Sequence, residues 1–422
     1  MDTPPAKTAE AESIPCRPDE SGGTWALLRR RPVRLLFVAR STSVLGDMVA
    51  PVALAFAVLS LGGGATGLGL VLAARALPSV LLVLVGGLLG DRYPRRMVMA
   101  WSNLAGFFTQ ALCGALILLH HAPIWSIALL AAMRGATGAF FNPASTGSIA
   151  DVAPPGRLQS TYSLFSLAGN AAEILGPTLA GILLTVVDPG WLLLADAATF
   201  FVSALLITAI GPMGTGTSAA RGPLGREALE GLRCVLQKRW LASIIASACV
   251  FQLFLLASLN VLGPLVADDR LGGASAWAVL VTALGGGGLC GTVISLRIRP
   301  AHPLRVGYLL MIAGSGPTLL LLALPAPLPV IAASEFVSGF TIAVFTAIES
   351  AAIAREVPRE LLSRVDAVNR FGSMSLRPLG MAMVGPLAAL MGTSTTLVVA
   401  ASVSLLAMLA PLLVGEVRGM TG

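Results

Sequence analysis

Charge is scarce in this chain. Asp, Glu, Lys and Arg together make up 12% of its 422 residues, about half of what a soluble domain carries. Lysine is nearly absent. Lys7 and Lys238 are the whole supply and follow Ala6 and Gln237. No G-K-[ST] phosphate loop can therefore form, which excludes a P-loop ATP-driven pump on this chain. The five cysteines, Cys16, Cys113, Cys234, Cys249 and Cys290, are scattered and odd in number, so no disulfide framework follows. Histidine is limited to His120, His121 and His302. The cluster of His, paired carboxylates or metal ligands that a membrane-embedded enzyme would want is missing. No metal site, no cofactor and no catalytic residue is expected.

What is abundant is apolar surface. The hydrophobic fraction is 55% and the mean hydropathy +0.83. A membrane span takes about 20 apolar residues, so the chain has room for about a dozen. The reading is an all-α integral membrane protein of twelve transmembrane helices. The spans are 34–61, 65–89, 97–119, 123–147, 160–187, 190–210, 241–266, 274–296, 305–324, 328–352, 365–391 and 395–414. A pI near 9.7 raises nucleic acid as a partner, but the positions of the arginines argue for a lipid bilayer instead.

One set of connections carries Arg92, Arg95 and Arg96, then Arg157, then Arg221, Arg226, Arg233, Lys238 and Arg239, then Arg297, Arg299 and Arg305, then Arg355, Arg359 and Arg364. The other set holds a single basic residue, Arg270. Basic loops stay on the cytoplasmic side. Only an even number of spans fits, with both termini in the cytoplasm. The bundle is expected to divide into a tail (1–32), a first six-helix bundle (33–210), a linker (211–240), a second six-helix bundle (241–415) and a short tail (416–422). The first tail is polar, rich in Pro, Glu and Ser, and expected to be disordered. It lacks the apolar core of a cleavable signal. Within the linker, Leu229, Leu232 and Leu236 share one helical face over 224–236, which predicts an amphipathic helix on the membrane surface. The wealth of Arg, Ala, Gly and Leu suggests a GC-rich bacterial genome, and so a bacterial inner membrane.

Two half-length echoes support the division. The run Gly291 to Arg299 repeats Gly87 to Arg95 with Ser295 in place of Asp91, and Pro155-x-x-Leu158-x-Ser160 recurs as Pro358-x-x-Leu361-x-Ser363. Two halves with a substrate site between them form a known transporter architecture. The sequence Gly62-Gly63-Gly64-Ala65-Thr66-Gly67 satisfies G-x-G-x-x-G. It follows no strand and lies in an arginine-poor loop, so no dinucleotide site is expected. Gly285–Gly288 reads as close helix packing.

Charges inside the spans are costly and should face a partner or a cavity, not lipid. Asp47, Arg75, Arg134, Glu173, Asp196 and Glu335 sit deepest. Arg40, Glu349 and Arg370 lie nearer the basic ends, and Arg377 is intermediate. Asp47, Arg75, Arg134, Glu173 and Glu335 are the candidates for proton coupling or substrate contact. Asp47 with Arg75 fits either a proton-linked couple or a static pair. Gln252 and Asn260 offer neutral polar contacts.

The stretch Gly87-Leu88-Leu89-Gly90-Asp91-Arg92-Tyr93-Pro94-Arg95-Arg96 resembles the loop between helices 2 and 3 of the major facilitator superfamily, G-x-L-A-D-R-x-G-R-K/R. Gly90 stands where Ala is usual and Pro94 where Gly is usual. The resemblance implies a cytoplasmic gate built from Gly87, Asp91, Arg92, Arg95 and Arg96, with Arg364, Asp366 and Arg370 available as partners near the eleventh span. Arg134 and Gly138 match part of the superfamily's R-x-x-Q-G-x-G/A motif, whose Arg is linked to proton coupling. Glu173 to Gly181, with Gly176, Pro177 and Gly181, resembles the G-x-x-x-G-P-x-x-G-G motif of drug/proton antiporters, two of whose glycines are Ala172 and Ala180 here. The whole chain from Arg34 to Val414 resembles the enterobactin-exporter-like branch. The resemblance implies a monomeric, proton-coupled exporter of small drug-like or natural-product molecules. An importer or uniporter of a small metabolite is the alternative within transport, and a membrane-embedded enzyme is the alternative outside it.

Overall fold

The structure, a computed structural model, describes residues 24–120, 122–211, 224–298, 300–358 and 361–420, with the side chains of 84–85, 87–91, 224–228, 231 and 363 also outside the description. The expectation of a disordered tail falls mostly outside these residues. Among the described residues all regular structure is helical. Six helices come first: α1 (Arg31–Ser60), α2 (Gly64–Arg92), α3 (Arg95–Leu118), α4 (Ile124–Val152), α5 (Leu158–Leu183) and α6 (Pro189–Thr208). A linker helix, Leu224–Gln237, separates them from the rest. Then follow α7 (Arg239–Leu271), α8 (Ala274–Ser295), α9 (Pro303–Ala323), α10 (Leu328–Glu356), α11 in two pieces (Leu362–Met374 and Arg377–Met391) and α12 (Thr393–Leu413).

Eleven of the helices are long and apolar enough to cross a membrane, among the described residues. The remaining one, α5, has the length at 26 residues but carries Asn170, Glu173 and several Ser and Thr. Asn170 and Glu173 line a cavity described below.

The helix ends follow local chemistry. Pro32, Pro189 and Pro303 occupy first turns, where a missing N–H costs nothing. Asp188 caps α6 by accepting from the Gly190 N–H at 2.8 Å. The tight turn at Gly392, which has φ 86°, joins α11 to α12, which pack on each other, and the stretch 184–188 joins α5 to α6. Two features differ from expectation. The eleventh span is broken between Met374 and Arg377, because Pro378 cannot continue the hydrogen-bond ladder. One π-helical turn, Gln252–Leu256, interrupts α7 and a second, Ala267–Leu271, ends it, and such turns recur at functional sites.

Packing repeats itself. α2 lies on α4 and α3 on α6 and α4; α8 lies on α10 and α9 on α12 and α10. Adding six to each number of the first set gives the second, the signature of a pseudo-twofold axis. Across the middle, α2 packs on α11 and α5 on α8, again a symmetric exchange. These seams are tight because small residues let backbones touch. A Cβ at Gly385 of α11 would strike the backbone of Ala65 and Thr66, and one at Gly181 of α5 would strike Ala278 of α8. Thr178 and Thr282 join hydroxyls at 2.6 Å across the same seam. Every one of these contacts lies toward the arginine-poor end of the bundle.

The linker helix leans on the first piece of α11, where Arg364 pairs with Glu230. Its Leu229, Leu232 and Leu236 remain exposed, on the face expected to meet lipid.

Candidate functional site

Three helices of the first group converge on one carboxylate. Asp47 of α1 accepts from Arg75 Nη2 of α2 at 3.3 Å and also pairs with Arg134 of α4. These residues are 28 and 87 positions apart in sequence, so only the fold brings them together. Backbones come close enough because Gly135 of α4 sits directly on the Arg75 carbonyl. Arg134 also donates to Thr137 Oγ1 at 3.1 Å and lies over the Phe200 ring at 4.2 Å, a favourable seat for a guanidinium.

A fourth charge stands beside the three. Asp196 of α6 is 2% exposed and within electrostatic reach of Asp47, Arg134 and Arg75. Its Oδ1 packs against Gly46, next to Asp47, and accepts from Thr199 Oγ1 at 3.4 Å. Its Oδ2 has no partner. Both arginines thus lean on one aspartate while a second stands close by. The sequence marks Asp196 as an embedded charge; only its position beside the pair reveals its place in the cluster.

Between the two groups of helices lies a cavity of about 680 Å³. Its walls are mostly apolar, with Met48, Leu72, Ile174 and Trp277 among them. Among its lining residues only Glu173 of α5 and Arg377 of α11 are charged, and neither makes a hydrogen bond or ion pair among the described residues. Asn170, Asn260 and Thr292 add neutral polar groups. This explains the polar character of α5, which faces the cavity and not only lipid. Two recesses share lining residues with the cavity and extend it toward the arginine-rich end. One is bounded by Arg40, Tyr162 and Glu173, the other by Leu256, Glu349 and Arg370. Gln252 lines the second recess with its Oε1 unpartnered. The walls come from α1, α2, α5, α7, α8, α10 and α11, and α4 holds its Arg134 in the Asp47 cluster.

The other candidates distribute as follows. Gly176 packs α5 onto Met48 of α1, Gly181 packs it onto α8, and Pro177 faces the cavity. Glu335 of α10 is 1% exposed, with both carboxylate oxygens unpartnered, and is not among the cavity's lining residues. Gly87 and Asp91 lie in α2, but the expected gating contact of Asp91 falls on side chains outside those described. Arg92 is exposed. Arg95 donates to Gly147 O and Asp151 Oδ1, both at 3.0 Å, at the end of α4. Arg96 donates to Ile210 O at 2.9 Å. Of the residues available as their partners, Arg364 pairs with Glu230, and Arg370 with Asp366 at 2.9 Å.

Residues 36–332 match the family model of the Major Facilitator Superfamily. The multidrug efflux pump Tap of Mycolicibacterium fortuitum is 26% identical over 87% of this chain and 92% of its own length. The MFS-type transporter YfiS of Bacillus subtilis is 27% identical over 51% of this chain and 52% of its own length. The crystal structure of the nucleoside transporter NupG superposes with a TM-score of 0.74 at 13% identity, covering 91% of this chain and 98% of that one, a likeness of fold alone. The charge cluster, the cavity between symmetric halves and the family match agree: this multi-pass membrane protein is a transporter, not an enzyme, and belongs to the major facilitator superfamily.

Proposed function

We propose that the chain is a secondary active exporter of small amphiphilic or drug-like molecules, coupled to proton antiport by alternating access. The observation that carries this reading is the cavity between the halves. It extends toward the arginine-rich end and is sealed at the other by the α2–α11 and α5–α8 seams. Basic loops remain cytoplasmic, so the arginine-rich end is taken as the inner face of a bacterial inner membrane, with both termini inside and the conformation open to the cytoplasm. Export is favoured over import by the Gly176-Pro177-Gly181 pattern of α5 and by the name of the Tap relatives. The unit of function is a monomer in the bilayer.

Proton coupling is assigned to the cluster of Asp47, Arg75, Arg134 and Asp196. An approaching guanidinium favours the ionised carboxylate and a retreating one favours the acid. Two arginines that can be shared between two aspartates let a helix movement release one carboxylate to take a proton. Glu173 is assigned to the substrate, because it lines the cavity. Glu335 is not assigned to either.

The test is drug accumulation in a pump-deficient bacterium expressing the chain, with and without a protonophore. Lower accumulation that the protonophore abolishes is the expected result. Protonophore-sensitive uptake would replace the exporter with the importer reading.

A further inference from the structure

The two charges of the central cavity stand on opposite halves of the molecule. Glu173 comes from α5 of the first group and Arg377 from α11 of the second. In the neighbouring charge cluster opposite charges meet: Asp47 gathers Arg75 and Arg134. In the cavity they do not, although a low-dielectric wall makes an unpaired charge costly. Among the described residues Arg377 Nε is buried without a partner, and Glu173 is exposed and lines the cavity without one. Every other described residue lining the cavity itself is neutral; the next charge, Arg40, lies in the adjoining recess toward the arginine-rich end. A single-sign ligand would satisfy one of the two and leave the other bare.

We infer that the ligand of this cavity is amphoteric: an aromatic or aliphatic body with a cationic amine toward Glu173 and an acidic group, such as a carboxylate, toward Arg377. The inference rests on the reading of this cavity as the substrate site and adds its chemical class. Charge-assisted hydrogen bonds are the strong polar contacts of such sites. Arg fits a carboxylate in bidentate fashion, while the apolar walls hold the body. Asn170 and Asn260 line the same space as neutral donors and acceptors.

The test is equilibrium binding to the full chain in lipid nanodiscs, using ciprofloxacin, its carboxyl ethyl ester and its N-acetyl derivative as probes. These present a zwitterion, a cation and an anion on one scaffold. The zwitterion should bind about tenfold more tightly than either derivative, the size expected from one charge-assisted contact. Glu173→Gln should erase the difference between the zwitterion and the N-acetyl form and keep the penalty on the ester. Arg377→Gln should do the reverse. This crossed pattern separates recognition from folding, since a misfolded variant would lose all three probes alike. Equal affinity of the wild type for all three, preference for a singly charged form, or no binding of any probe would overturn the amphoteric assignment. Binding is blind to the direction of transport. The exporter reading therefore stands or falls separately, on the accumulation assay.

Discussion

The two six-helix groups share one packing plan and fill it with different chemistry. In the first, α1, α2 and α4 are tied through charge, Asp47 holding Arg75 and Arg134, with Asp196 of α6 alongside. In the second, α8, α9 and α10 are stitched by backbone contact and hydroxyls. Gly287 and Gly291 of α8 sit on the carbonyls of Phe336 and Phe340, and Gly339 of α10 sits on that of Leu284. Ser338 donates to Ser315 at 3.2 Å, and Thr318 meets Ser334 at 3.1 Å. A guanidinium can exchange carboxylates with little change in geometry. A glycine seam offers one fit and no other. Both groups carry such a seam, since Gly86 and Gly135 sit on the carbonyls of Ala139 and Arg75 between α2 and α4; only the first adds exchangeable charge pairs to it, and the proposed proton coupling rests on them.

The largest expected effect tests the glycine seam of the second group. Gly339→Val places a branched side chain against the Leu284 carbonyl, where even a Cβ has no room. It should lower the thermal stability of the purified protein drastically or abolish recovery of monodisperse protein. Overpacking costs about 1–3 kcal/mol where side chains can shift, and here the obstacle is backbone. Gly169→Ala is the control, with nothing within 4 Å of the new methyl, and should be stable. Equal behaviour of the two would dissolve the seam as a structural device.

Next in size is Asp47→Asn, which leaves the buried Arg134 and the partly buried Arg75 without their carboxylate. Breaking such a pair from one side costs about 3–5 kcal/mol when fully buried. The Asp47 side chain is 25% exposed, so a loss nearer the bottom of that range is expected, together with loss of protonophore-sensitive transport. Adding Arg75→Gln should recover part of the stability by removing one orphaned charge, and none of the coupling. Wild-type transport in Asp47→Asn would remove the cluster from the mechanism.

Most of the fold was legible because membrane physics leaves few choices. Run length and the alternation of arginines mark spans and ends, and the short connection around Gly392 demands that α11 and α12 pack as neighbours. The break in α11 carried a signal in Pro378, but a single Pro near a span's start reads equally well as a tolerated kink. The π turns of α7 had none. The embedded charges were legible one at a time, since each is expensive where it stands. Their arrangement was not. Nothing in the spacing of Asp47, Arg75, Arg134 and Asp196 says that four helices bring them to one point. Nothing in the position of Arg377, intermediate along its span, says that it faces Glu173 across a cavity.

A smaller effect belongs to the hydroxyl stitches. Ser338→Ala removes the donor to Ser315 in a fully buried setting and should cost about 1 kcal/mol. It should leave transport intact, measured as Tm in detergent beside an accumulation assay. A coupling defect without a stability defect would mean that this seam moves after all.

The smallest expected effect decides most sharply between the two groups. Glu335 is as deeply buried as Asp196, yet it has no partner at either oxygen and no place in the cavity wall. If the second group is a passive scaffold, an amide of the same shape should serve there as well as the acid. Glu335→Gln should then keep stability within about 1 kcal/mol, the range of ordinary single substitutions, and keep protonophore-sensitive efflux at the wild-type level. Asp196→Asn, by contrast, should lose coupling while retaining binding in the cavity. Measured side by side, the two amides weigh one buried carboxylate against another on the same fold. If Glu335→Gln fails and Asp196→Asn transports, the proton path runs through the second half, and the proposed roles of the two groups must be reversed.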